Sequence, residues 1–154
     1  MRYLILLLFT SMCFGQIEVK EIKQCEYKLI GKTSKLYTYA TSLKECDEHY
    51  LLTYRNAEYQ HIDDMVYVYI KKEKFKIDDL YDVMIKGFED MPKNILSISI
   101  GDETIYLTYK RFMNKDIVKI IYEDNGILKS PQNMNKKMVQ KLFGKSTRKK
   151  KKKK

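Results

Sequence analysis

Met65 to Lys71 reads MVYVYIK, and this heptapeptide decides the fold. Val66, Val68 and Ile70 fall on one side of an extended chain, with Tyr67 and Tyr69 on the other. Period-two alternation of this kind belongs to a strand with one face in a core. Just downstream the period changes. In IDDLYDVMIKGFED, Ile77 to Asp90, Leu80, Val83, Met84 and Phe88 recur at helical spacing, and Ile85 widens the stripe. Asp78 and Asp79 suit the N-cap or first turn of a helix, and Pro92 bars its continuation.

Working outward, strands are expected near Cys25–Ile30, at Leu36–Thr41, at His49–Arg55 and over residues 95–100, 104–111 and 117–122. Lys44–Glu48 reads as a polar turn, and Asn125-Gly126 is a hairpin dipeptide. Ser130-Pro131 looks like the start of a second helix that runs to about Phe143 and stops at Gly144. The expectation is an α+β fold. It has a mostly antiparallel sheet of about six strands and two helices on one face, in βββα-βββα order. Leu52-Thr53-Tyr54-Arg55 and Leu107-Thr108-Tyr109-Lys110 match in character, and Asp64-Met65-Val66 and Asp116-Ile117-Val118 follow each in turn. An old duplication would produce this, and so would two hairpins obeying the same strand preferences.

Residues 1–16, MRYLILLLFTSMCFGQ, read as an export leader. Arg2 supplies the charge and Tyr3–Phe9 the apolar run, which is far short of the ~20 residues a spanning helix needs. Cleavage is expected after Gly15, with Cys13 and Gly15 at the two positions that must be small. Phe14-Gly15-Gln16 resembles the cleavage sites of many small exported bacterial proteins. The resemblance covers the leader alone and implies location, not activity. A lipoprotein acylated on Cys13 is the less favoured alternative, because Met12 is not small. The division expected is a signal peptide over 1–15, one domain over 16–144 and a disordered basic tail over 145–154.

The 154-residue chain carries a formal net charge of +10, but that charge is local. Eight basic residues lie between Lys145 and Lys154, and Gln16–Gly144 holds 21 basic against 20 acidic residues. A near-neutral body argues against a nucleic-acid groove. The tail cannot fold, since like charges repel and nothing apolar is available to bury. Arg148, Lys149, Lys150, Lys151, Lys152, Lys153 and Lys154 are candidates for contact with an anionic surface. The plainer reading is a solubilising end.

Two cysteines remain after the leader, Cys25 and Cys46, and in an oxidising compartment they should pair. Closing a loop of this length stabilises a fold by about 3 kcal/mol on the chain-entropy argument. Cys46 and His49 form a C-x-x-H word, but no second matching pair completes a metal site, and a disulfide removes the thiolate. No metal or cofactor is therefore expected.

Catalytic words are missing: no nucleophile elbow, phosphate-cradling glycine loop or His-Glu-x-x-His occurs. His61, Asp63 and Asp64 share one connector and could serve a small periplasmic hydrolase as an acid–base cluster; the plainer reading is a solvated turn. Tyrosine is the bias that remains, at 13 residues. Tyr37, Tyr39, Tyr54, Tyr67 and Tyr69 lie in expected strands and are candidates for an exposed binding face, since tyrosine offers large, stiff, amphipathic contact area. Cross-strand pairing explains them equally simply. The functional expectation is an exported envelope protein, periplasmic or secreted, that binds a protein or envelope polymer without catalysis. A tail-driven binder of anionic envelope surfaces is a further alternative.

Overall fold

The structure, a computed structural model, describes residues 25–33, 40–58, 61, 63–100 and 103–145. The leader, Tyr37, Tyr39, the tail from Ser146 onward and most of the strand expected at Leu36–Thr41 lie outside these residues.

The described chain forms two antiparallel sheets and two helices, an α+β arrangement. Strands β1 (Lys28–Lys32), β2 (Ser42–Glu45), β3 (His49–Arg55) and β4 (Met65–Lys71) make the first sheet in chain order. A 3₁₀ turn at Lys72–Lys74 leads into α1 (Ile77–Asp90). Strands β5 (Leu96–Ile100), β6 (Glu103–Phe112), β7 (Lys115–Asp124) and β8 (Ile127–Lys129) follow, and β9 (Met134–Asn135) also pairs with β7. Helix α2 (Lys136–Leu142) closes the fold.

The expected single sheet of about six strands is thus two sheets, of four and five strands. Ser42-Leu43-Lys44-Glu45, whose second half was expected in a turn, is β2: Leu43 is buried against Leu52 while its neighbours stay partly exposed. One apolar side chain in four residues leaves little alternation to detect.

The second helix starts later than expected. Ser130 does not cap it. Ser130 is buried, its N–H donates to Asn56 Oδ1 and its hydroxyl to a Glu58 carboxylate oxygen. Asn135 is the N-cap, its side chain accepting the Met138 N–H at 3.0 Å. Helix α1 lies where its period places it, but Lys76 occupies the N-cap position, and Asp78 and Asp79 are first-turn acids that suit the helix dipole.

One core joins both halves. Leu43, Leu52, Tyr54, Val66, Val68 and Ile70 come from the first sheet, and Ile105, Leu107, Tyr109, Val118 and Ile120 from the second. Leu80, Met84 and Phe88 of α1 and Val139 and Leu142 of α2 fill the same cluster. Each buried aliphatic side chain contributes about 1.5–3 kcal/mol. Gly87 is required where α1 meets the second sheet, because a Cβ there would enter the Tyr109 ring. Gly31 is required where β1 meets α2, because a Cβ there would strike the Lys141 carbonyl.

Polar bonds also run between the halves. Tyr54 of the first sheet donates to the Lys129 carbonyl at 3.3 Å, and Tyr109 of the second donates to the Met84 carbonyl in α1 at 3.1 Å. Buried Asn56 accepts from Ser130 and gives its amide to Asp64. These hydroxyl, amide and carbonyl groups thereby exchange water for protein partners.

Candidate binding face and disulfide centre

On β4 the residues alternate strictly: Val66, Val68 and Ile70 are buried, while Met65, Tyr67, Tyr69 and Lys71 face outward. Tyr67 and Tyr69 keep 52% and 54% of their surface exposed. Register places Tyr67 opposite Thr53 and Tyr69 opposite Leu51, and both partners are buried on that same outer face. Leu29 on β1 is also exposed there, opposite outward-facing Lys44. The tyrosines therefore stand on the edge strand of the first sheet, beside a covered central strand.

The candidate tyrosines divide by parity. Tyr54 points inward and is buried, so it is not part of the outer face. Burial raises its pKa well above the ordinary tyrosine range, with Tyr122, Asp64 and Asp124 adding to the shift. Tyr67 and Tyr69 are brought together by the pleat. Tyr37 and Tyr39 lie outside the described residues.

Tyr69 leads to a second feature. Its ring meets the His49 ring edge-on at 5.4 Å, and Tyr27 approaches the same imidazole at 5.6 Å. The Tyr27 hydroxyl lies 2.7 Å from His49 Nε2. Cys46 Sγ lies 3.5 Å from His49 Nδ1 and 3.8 Å from Nε2. Cys46 is bonded to Cys25, with their Cα atoms 5.9 Å apart, inside the normal disulfide range. Cys25, Cys46 and His49 thus place two sulfurs and one imidazole nitrogen within 4.8 Å of one another. With both sulfurs in the disulfide, neither is a thiolate ligand.

Two signals for this cluster were in the sequence. The C-x-x-H spacing places His49 just across the turn from Cys46, and Tyr27 lies two residues from Cys25, just before β1. The contribution of Tyr27 was missed, because only the pairing of β1 with its neighbours brings it to His49.

A cleft of about 590 Å³ opens beside His49 and Tyr69. Asp47, Glu48, Glu73 and Glu103 line it together with Lys71, Lys72 and Ile100, so its charge is mixed. A second cleft of about 520 Å³ lies by β8, between Lys119, Leu128 and Glu58. Hydrogen bonds from Lys119 and Ser130 hold the Glu58 carboxyl below its usual pKa.

Of the connector residues His61, Asp63 and Asp64, the two aspartates take separate partners. His61 is exposed in a turn. Asp63 pairs with Arg55 at 3.4 Å, and Asp64 accepts from Asn56 at 3.0 Å and sits 3.9 Å from Lys129.

Fold and site together describe a small disulfide-bearing α+β domain with an aromatic outer edge. No family model, curated protein or solved structure matches the chain. Among the described residues, no helix is long and apolar enough to cross a membrane.

Proposed function

We propose that this protein is an exported envelope protein that acts by binding, without catalysis, and that its contact surface is the outer face of β4. One observation carries the reading: Tyr67 and Tyr69 stand half-exposed side by side on an edge strand, flanked by exposed Met65. Two adjacent stiff aromatics with polar tips lose little conformational entropy on docking and desolvate a large area. The edge position adds main-chain donors and acceptors that an extended partner can use. The disulfide and the apolar leader-like segment support export, and the partner is a protein or envelope polymer.

The test is retention. A Tyr67→Ser/Tyr69→Ser variant, expressed in the native host at wild-type level, should lose its co-fractionation with washed envelope material at least tenfold, while its thermal unfolding stays close to wild type. Equal retention of variant and wild type would remove the assignment of this face. Removing Arg148 to Lys154 separately measures the tail: undiminished retention after that truncation is expected if β4 dominates.

A further inference from the structure

We propose that the Cys25–Cys46 disulfide is a directional thiol–disulfide exchange site, in which an incoming thiolate attacks Cys25 and Cys46 leaves as a thiolate held by His49. The inference rests on the cluster around His49 and on no part of the binding proposal.

Accessibility sets the direction first. Cys25 is partly exposed, whereas Cys46 retains 6% of its surface. An attacking sulfur must approach along the S–S axis, and on Cys25 that approach starts from the more open partner. The leaving group sets it second. Exchange is faster when the departing thiol has the lower pKa, and a neighbouring protonated imidazole lowers a cysteine pKa. His49 Nδ1 lies 3.5 Å from Cys46 Sγ. Nε2 lies 3.8 Å from the same sulfur, so both ring nitrogens border Cys46 Sγ, and a protonated ring sets its positive charge against the departing thiolate while the Tyr27 hydroxyl holds Nε2 at 2.7 Å. Tyr27 and Tyr69 both meet the ring edge-on, so the imidazole is positioned beside the sulfur before the bond breaks.

The step balances without a metal. The external thiolate forms a bond to Cys25 Sγ, the Cys25–Cys46 bond breaks, and its electron pair goes to Cys46 Sγ. A second thiolate of the same donor then attacks the donor sulfur of the mixed disulfide and releases Cys25 as a thiolate. The donor, a small thiol or a paired-cysteine reductant, ends as a disulfide, and the chain ends with two reduced cysteines.

Other charges face the cluster and enter its pH dependence. Asp47 and Glu48 belong to the same turn as Cys46, and Lys71 stands opposite His49 on β4. Tyr27 and Tyr69 flank the ring, and Tyr27 carries a pKa raised by burial and then by Tyr69.

Glutathione is the probe. The purified protein is exposed to it briefly, quenched with iodoacetamide and digested, and the cysteine peptides are read by mass spectrometry. Glutathione should be found on Cys25 and the carbamidomethyl group on Cys46, with the opposite arrangement at least about tenfold rarer. His49→Phe keeps a flat ring and removes the group that can carry a positive charge; exchange should slow by about tenfold and the Cys46 thiolate, followed by alkylation against pH in Cys25→Ser, should titrate higher. Tyr27→Phe provides a milder variant should His49→Phe fail to fold, and should weaken the same preference. An even mixture of adducts, an adduct mainly on Cys46, or an unchanged Cys46 alkylation profile in the folded variants would overturn the proposal.

Discussion

The two sheets send matching residues inward and different ones outward. On β3 and β4, Leu52 faces Val68 and Tyr54 faces Val66; on β6 and β7, Leu107 faces Ile120 and Tyr109 faces Val118. All eight are buried, and the two tyrosines each donate to a carbonyl in the other half. The outer faces diverge. The first sheet shows Met65, Tyr67, Tyr69 and Leu29, whereas the second shows Ser97, Ser99, Thr104, Thr108 and Lys110 beside a half-buried Tyr106, and its exposed apolar residues, Phe112, Ile127 and Leu128, stand at the end of β6 and on short β8. Shared inner faces follow from a shared packing problem: each hairpin must cover one side of the same core. Outer faces are free of that constraint, and the adjacent exposed pair Tyr67 and Tyr69 is the feature on which the proposed contact surface rests.

The inner-face equivalence can be broken by cavity formation. Leu52→Ala and Leu107→Ala should each cost about 3 kcal/mol in denaturant unfolding, because both side chains are enclosed and the space left cannot collapse fully. A cost below about 1 kcal/mol for one of them would show that the two hairpins do not share the core equally.

The tyrosine hydroxyls sharpen it. Tyr54→Phe and Tyr109→Phe should each cost about 1 kcal/mol at neutral pH, the net worth of one hydrogen bond. Their alkaline behaviour carries a sign. Burial pushes the Tyr109 hydroxyl up to about 12 and raises Tyr54 further, while burial and the bond to Glu103 take Tyr122 to about 12. Raised folded-state values mean that the folded chain holds protons the unfolded chain has released. Stability is therefore intact below about pH 10, the ordinary tyrosine value, and falls as pH rises toward 12. The double Phe variant should lose less over that interval than wild type, and Tyr122 and Tyr27 contribute to what remains. A steeper alkaline loss in the variant would contradict the assignment.

These comparisons also mark what the sequence makes readable. Met65–Lys71 alternates without interruption, and the strand has those limits. Helix α1 carries a full apolar stripe, and it too is placed by period alone. The partition of strands into two sheets was not legible, because strand alternation says which side is buried and nothing about what lies opposite it. Ser130 misled for a related reason: Ser-Pro has the chemistry of a helix start, but Asn56 and Glu58, more than 70 residues away in the chain, take its hydrogen-bonding groups. Tyr54 and Tyr67 are alike as letters, and only their parity relative to Leu52 and Val66 separates core from surface. At the disulfide the pairing was legible from the cysteine count, whereas the Tyr27–His49 contact required β1, β2 and β3 to be registered first.

The smallest stability effect belongs to the outer face. Tyr67→Ser and Tyr69→Ser should each change unfolding free energy by no more than about 1 kcal/mol, since about half of each side chain is already in solvent, with Tyr69 the larger of the two because its ring packs on His49. A loss above about 2 kcal/mol would place them among the groups that hold the sheet together.

The most direct measurement is photo-cross-linking in living cells, with a benzophenone amino acid placed at Tyr67 in one strain and at Ser99, exposed on the opposite sheet, in another. Discrete high-mass adducts from position 67, with little or none from position 99, are the result predicted. Equal adducts from the two positions, or none from position 67 in folded and exported protein, would contradict a contact surface on β4.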